Sequence, residues 1–299
     1  MDSELKDLFP ADRIKTNEPM KDHTSFKVGG PADYMVTPEN AEELKKVIAF
    51  CRKKNLDFYI LGLGSNILVR DKGIRGVVIK LGNGFKKLTI DGEQITAEAG
   101  INLSNLAKEA AYYGLSGLEF AEGIPGSLGG AVVMNAGAYG GEMKDILNEV
   151  TAINYNGDIK KYTPDEMFMT YRKSIFQLNG DTIISAVIQL RKDKKGSIQA
   201  RMDDYACRRQ EKQPLEFPSA GSTFKRPPNH FVGPMIEELG LKGYQIGGAQ
   251  VSTKHAGFII NAGNATASDI LALIAYIQKR VKEHYGVELQ TEIKIIGEE

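Results

Sequence analysis

The residues best suited to chemistry cluster around glycine. Between 119 and 141 the chain reads EFAEGIPGSLGGAVVMNAGAYGG. Glycine costs about 0.5–1 kcal/mol relative to alanine in regular structure. Such density points to backbone passing close to a ligand, or to positive φ. The only carboxylates are Glu119 and Glu122 at its start, and the polar groups within are Ser127 and Asn135. An interior without charge suits a phosphate or a flat ring. A second compact turn, Gly62-Leu63-Gly64-Ser65-Asn66, follows an apolar run. Its successive N–H groups can cradle a phosphate or simply close a turn. Two such turns in one chain suggest two walls of one cofactor site. Neither fits a dinucleotide fingerprint: GLGSN lacks GxGxxG spacing and leads into a second apolar run, and no Walker lysine follows any glycine run.

Three further groups stand outside the glycines. Arg172, in Tyr171-Arg172-Lys173-Ser174 between Phe168 and Phe176, can pair with a carboxylate ligand or be a solvated surface arginine. Ser222 sits beside Gly221 with no GxSxG elbow, which argues against a hydrolase nucleophile. Glu292 is a lone carboxylate on a C-terminal run. The four histidines, His23, His230, His255 and His284, have no metal spacing, and Cys51 and Cys207 form no ligand pair, so no metal is expected.

The elements that must position these residues are short. The pattern predicts strands near 32–36, 58–61, 67–69, 76–80, 182–190 and 257–260. Hairpins are expected around Asp91-Gly92 and Asn156-Gly157. Helices are expected from Thr37-Pro38-Glu39 to about 54, over 104–113 with Asn102 or Ser104 as cap, over 199–209, 231–239 and 267–284. A terminal strand over 288–296 places Glu292 and Lys294 opposite Leu289, Thr291 and Ile293. Many strands with few helices in the first 190 residues give an α+β class rather than a doubly wound sheet. At 299 residues the chain suits about two domains. Its 38 basic and 38 acidic residues cancel, so no nucleic-acid or membrane-surface partner is expected. The absence of a signal-like N-terminus, of a bilayer-spanning run and of paired cysteines points to the cytoplasm.

The order of the motifs resembles the UDP-N-acetylenolpyruvoylglucosamine reductase family (MurB). The resemblance runs over roughly 20–297. It is carried by Ser25-Phe26-Lys27-Val28-Gly29-Gly30, Leu61-Gly62-Leu63-Gly64-Ser65-Asn66, Gly123-Ile124-Pro125-Gly126-Ser127-Leu128-Gly129-Gly130 and Asn135-Ala136-Gly137-Ala138-Tyr139-Gly140. It continues through Tyr171-Arg172-Lys173-Ser174, Gly221-Ser222-Thr223-Phe224-Lys225-Arg226-Pro227, His255-Ala256-Gly257-Phe258 and Thr291-Glu292-Ile293. No inserted loop separates the motifs, as in the shorter second type of this enzyme.

The resemblance implies a two-part FAD-binding region of the vanillyl-alcohol-oxidase type over 1–202, split near 72. A smaller α+β substrate-binding domain over 203–288 and a terminal strand over 289–299 returning to the flavin region follow. It implies non-covalent FAD held by Gly62, Leu63, Gly64, Ser65, Asn66, Gly123, Ile124, Pro125, Gly126 and Ser127, with Gly130, Asn135, Ala136 and Gly137 along the flavin. In the implied reaction a hydride from NADPH passes through FAD to C3 of an enolpyruvyl ether on UDP-N-acetylglucosamine, and C2 takes a proton. Arg172 would hold the substrate carboxylate, Glu292 would donate to it, and Ser222 would supply the proton. All three would have to converge on one face of the flavin. Lys225 and Arg226 would meet the UDP diphosphate. Tyr171 would pack under Arg172 or touch the nicotinamide, and Tyr139 would wall the flavin or the nicotinamide. A monomer is the family expectation. Another FAD-dependent oxidase or dehydrogenase of the same fold is the main alternative, although the oxidases often attach FAD through His or Cys, absent from both glycine turns.

Overall fold

A computed structural model describes residues 2–299. Apolar periodicity and turn residues build two compact units that interleave along the chain. The first holds residues 2–16, Tyr34–Leu63 and Gly76–Arg208; the second holds Asn17–Asp33, Gly64–Arg75 and Arg209–Glu299. The mixed α+β class is as expected. The linear cuts expected near 72, 202 and 288 differ from this partition, because segments 17–33 and 64–75 belong to the same unit as the C-terminal third.

The first unit is organised on an antiparallel sheet with strand order Ile159–Tyr162, Leu147–Ile153, Thr182–Gln189, Gln94–Glu98, Leu88–Asp91. Asp91 pairs with Gln94, so Gly92-Glu93 forms the tip of the first hairpin. The second hairpin closes at Ile153 opposite Ile159. A parallel pair, Phe58–Leu61 with residues 77–80, forms a further piece of this unit.

Helix α1 spans Asp2–Leu8, and α2 spans Ala41–Lys53, capped by Asn40 rather than starting at Pro38. The Asn40 side chain accepts the Glu43 N–H, which fixes the start. Helix α3, Leu103–Tyr112, takes Asn102 of the two expected caps. A short helix α4, Leu128–Val133, lies inside the glycine-rich stretch, where the glycines masked it from the pattern. Helix α5 is Phe176–Asn179, and α6, Lys195–Lys212, is longer than expected. Leu44, Ile48, Leu106, Ala110, Leu128 and Ile188 are among the buried side chains of this unit's core.

In the second unit, α7, Val232–Glu238, and α8, Ala267–Tyr285, pack with a four-stranded sheet of order Ser219–Ser222, Phe258–Asn261, Ala249–Val251, Gln245–Ile246. The apolar stripe of α8 is buried at Ile270, Leu273, Ile274, Ile277 and Val281. Asp71 accepts the N–H groups of Ala267 and Ser268 and the Ser268 hydroxyl, so it supplements the Thr266/Asp269 capping box of α8. Only Lys294–Ile296 of the expected terminal strand is regular, and it pairs in parallel with Ile67–Val69. Among the described residues no helix is long and apolar enough to cross a membrane, and no cluster of His, Cys, Asp or Glu suits a metal.

Candidate active site

In the first unit the two glycine motifs abut. A Cβ placed on Gly62 would collide with Ser127 Oγ, so Gly62 lies directly against the Ser127 side chain. Ser127 is buried, caps α4 by accepting the Gly130 N–H at 3.4 Å, and forms a β-bridge with Asn102. Gly126 O accepts the Leu103 N–H, and the Leu128 and Gly129 N–H groups donate to Ile101 O and Ala99 O. Residues 126–129 are thereby stitched to the chain leading into α3. The Ser104 hydroxyl accepts the Gly123 N–H at 3.1 Å, with Gly123 at φ 71.

The glycines are not all there for a ligand, as the density alone suggested. At Gly129 a Cβ would sit 2.9 Å from Ala99 Cβ, at Gly137 2.6 Å from Gly141 O, and at Gly141 2.7 Å from Phe120 Cδ1. These three are required by packing of the chain on itself. Gly130 differs. It is exposed on α4, and a Cβ would meet only Ser127 Oγ at 3.5 Å among the described residues. No internal contact demands a glycine there, which fits a flat ring lying against that turn. These observations fit FAD.

The Arg172 motif is fastened to the same stretch. Thr170 and Lys173 exchange backbone hydrogen bonds, leaving Tyr171-Arg172 at a tight tip with Arg172 at φ 55. A left-handed arginine is a strained conformation. Surrounding bonds hold it: Gln177 Nε2 donates to Arg172 O, and Asn135 Nδ2 donates to Thr170 O at 3.0 Å. The Ser174 hydroxyl donates to Val133 O at 2.7 Å at the end of α4. The Arg172 guanidinium reaches Gly137 O at 3.1 Å and lies 5.0 Å over the Tyr171 ring. Arg172 thus meets the 135–137 backbone, and Tyr171 packs against it. Asn135, expected along the flavin, is instead fully buried: its side-chain amide also donates to Glu142 and accepts the Lys144 N–H, its own N–H donates to Val132 O and its carbonyl accepts Arg172 Nη1, so it braces the stretch from within. Tyr139, at φ 53, stacks on Tyr205 of α6 at 4.5 Å.

Glu119, at the head of the stretch, is buried and bound by Arg201 of α6, by the Ser116 hydroxyl and by the Gly117 N–H. Burial opposes its ionisation, but these donors, Arg201 foremost, hold its pKa below the usual carboxylate range. Glu119 and Arg201, and Tyr139 with Tyr205, carried no pattern in the sequence, because their partners lie at least sixty positions away.

In the second unit Ser222 ends its strand, exposed, opposite Phe258. The next residue, Thr223, is fully buried, and its carbonyl accepts the Glu292 N–H at 2.8 Å. Phe224 bridges Thr291, and the Lys225 N–H donates to Gln290 O. The segments carrying Ser222 and Glu292 therefore run side by side. Asn66, from the first glycine turn, donates through Nδ2 to Glu292 O at 3.2 Å and accepts the Lys294 N–H. Gly64, at φ 66, leaves no room for a side chain against His23 O. Burial, and then repulsion from Lys225, lower the Lys294 pKa, so two ammonium groups share this edge. The Arg226 guanidinium lies 3.9 Å over the Phe231 ring. Within the units, then, Gly62 meets Ser127, Arg172 meets Gly137, and Ser222 and Glu292 meet through Thr223.

Comparison with known proteins follows this geometry. A family model described as UDP-N-acetylenolpyruvoylglucosamine reductase, C-terminal domain, matches residues 213–296, and one described as FAD binding domain matches residues 32–163. A UDP-N-acetylenolpyruvoylglucosamine reductase of Syntrophomonas wolfei is 62% identical over 299 residues, covering 100% of both chains. One of Caldanaerobacter subterraneus is 52% identical over 294 residues, covering 98% of this chain and 97% of the relative. The crystal structure of the reductase from Thermus caldophilus matches with a TM-score of 0.81 at 38% identity, over 94% of this chain and 97% of that chain. On full-length identity and shared fold, the chain belongs to the UDP-N-acetylenolpyruvoylglucosamine reductase family.

Proposed function

We propose that this protein reduces UDP-N-acetyl-3-O-(1-carboxyvinyl)-glucosamine to UDP-N-acetylmuramate with NADPH and non-covalent FAD, a step in peptidoglycan precursor synthesis. The observation that carries this reading is the 62% identity to such a reductase across the whole chain. Bound FAD supplies the relay that takes a hydride from NADPH and delivers it to C3 of the enolpyruvyl group. Residues 62–66 and 123–127, with Gly130, Ala136 and Gly137, would hold it.

The remaining chemistry falls to side chains. Hydride addition at C3 pushes negative charge toward the substrate carboxylate. Arg172 binds that carboxylate, and its fixed fork strengthens as charge develops. Glu292 in its acid form would donate a hydrogen bond to the same group. Ser222 delivers the proton to C2. A serine hydroxyl is a weak acid, but the carbon centre is a strong base, so placement counts for more than acidity. Lys225 and Arg226 take the diphosphate, and Tyr171 supports Arg172 from below, consistent with its ring contact.

The test is anaerobic. NADPH should bleach the yellow holoenzyme, and UDP-N-acetylglucosamine enolpyruvate should restore its colour without oxygen. Recovery only on admitting oxygen would point to an oxidase of the same fold. We infer further that the protein works as a monomer in the cytoplasm. Light scattering should then give one species near the chain mass of 32.8 kDa, and a dimer mass would contradict that inference.

A further inference from the structure

His255 belongs to a motif that the proposed chemistry leaves without a role. Its Nδ1 accepts the Gly257 N–H at 3.0 Å. An amide N–H can only donate, so the ring is the neutral tautomer with its proton on Nε2. From there the hydrogen bonds continue without a break. Gly257 O accepts the Thr223 N–H at 2.9 Å, and Thr223 O accepts the Glu292 N–H at 2.8 Å. The Thr223 N–H belongs to the peptide that leaves Ser222. One imidazole therefore stands at the head of a ladder that fixes the backbone of both Ser222 and Glu292.

The ring is packed into this position. It meets the Phe258 ring edge-on at 4.9 Å, and Gly233 of α7 faces its Cε1. The Ser252 hydroxyl accepts the Lys254 and His255 N–H groups, fixing the turn from its other side. A Cβ at Gly257 would press on the imidazole at 3.0 Å, so glycine there lets the ring sit close against the turn.

We propose that His255 is a positioning residue for Ser222 and Glu292, and that its protonation releases the ladder and slows reduction of the substrate. Protonated Nδ1 becomes a donor and faces the Gly257 N–H, so the bond that heads the ladder cannot form. Burial first, with the charges of Lys242 and Lys212, moves the His255 pKa below its ordinary value, while Glu237 and the turn's own backbone oppose that shift. The switch therefore operates on the acid side of pH 6.5. The inference rests on the roles given to Ser222 and Glu292 above.

The experiment follows both half-reactions of the holoenzyme by anaerobic stopped flow from pH 5 to 8.5, alongside the His255 Cε1–H resonance by NMR. His255→Asn keeps an acceptor that forms the same two-residue turn but does not titrate. His255→Phe removes the acceptor. Substrate-driven flavin reoxidation should fall in the wild type as the His255 resonance titrates, and His255→Asn should remove that limb. His255→Phe should lose roughly tenfold in reoxidation at pH 8, the scale of one lost buried hydrogen bond. NADPH-driven flavin reduction should be unchanged in both. A His255→Asn enzyme that keeps the full acid limb overturns the proposal, and this holds even if His255→Phe does not fold. So does a folded His255→Phe enzyme reoxidised at the full rate. Ser222→Ala separates the two levels. Reoxidation at the wild-type rate in that variant overturns the reading of the site and this inference with it. A crippled Ser222→Ala beside an unaltered limb in His255→Asn overturns this inference alone.

Discussion

Arg172 is held by constraint rather than by burial: a left-handed backbone at a two-residue tip, with its guanidinium against Gly137 O. Lysine at this position keeps the charge but loses the fork. Arg172→Lys should lower kcat/KM for the enolpyruvyl substrate by about 10²–10³, the scale of a lost charge-stabilising donor, and leave NADPH-driven flavin reduction within twofold or so. Equal loss in both half-reactions would place Arg172 in cofactor binding instead. Glu119 makes a different kind of claim. Its folded pKa is depressed, so its stabilisation is present above the unfolded carboxylate value and is lost as pH falls through the folded one. Glu119→Gln should cost about 2 kcal/mol at pH 7 and nearly nothing at acid pH, read from urea unfolding at both. At this scale the sequence was legible only through the order of its motifs. Arg172, Ser222 and Glu292 are each unremarkable singly. The ladder from His255 through Gly257 and Thr223 was not legible, because backbone hydrogen bonds leave no side-chain signature.

Helix α4 shows how an element can be hidden by the feature that makes it useful. Gly129 and Gly130 suppress its propensity, and the helix stands on the Ser127 cap and on its packing instead. The two glycines separate in their effects. Gly129→Ala drives a Cβ against Ala99 and should destabilise the fold. Gly130→Ala makes only an ordinary contact with Ser127 Oγ at 3.5 Å, so helix propensity should raise the stability of the apoprotein by about 0.5–1 kcal/mol. Its FAD affinity, measured by flavin fluorescence titration, should weaken. Unchanged affinity would remove the turn from the cofactor wall. Helix α8 was legible nearly to the residue, expected over 267–284 from its apolar stripe and found over Ala267–Tyr285. Its cap by Asp71 was not, because Asp71 is 196 positions away from Ala267. Asp71→Ala should cost about 1 kcal/mol in thermal or urea unfolding.

At the scale of the whole chain, composition and strand spacing gave the α+β class, and motif order gave the family. The partition was not legible. A sequence is read in one direction, whereas each unit gathers separate stretches, with the chain passing between units at Leu63 and Gly64 in the middle of the GLGSN turn. The parallel pairing of Ile67–Val69 with Lys294–Ile296 joins residues more than two hundred positions apart, and no local pattern encodes such a register. The central claim is that Ser222 protonates the substrate after hydride addition while taking no part in the reaction with NADPH. Anaerobic stopped flow at the flavin absorbance tests it most directly in Ser222→Ala. The account predicts that NADPH bleaches the variant at a rate close to wild type, and that enolpyruvyl substrate reoxidises it at least about 10²-fold more slowly, the usual weight of a placed proton donor. Equal slowing of both phases, or reoxidation at the wild-type rate, would contradict it.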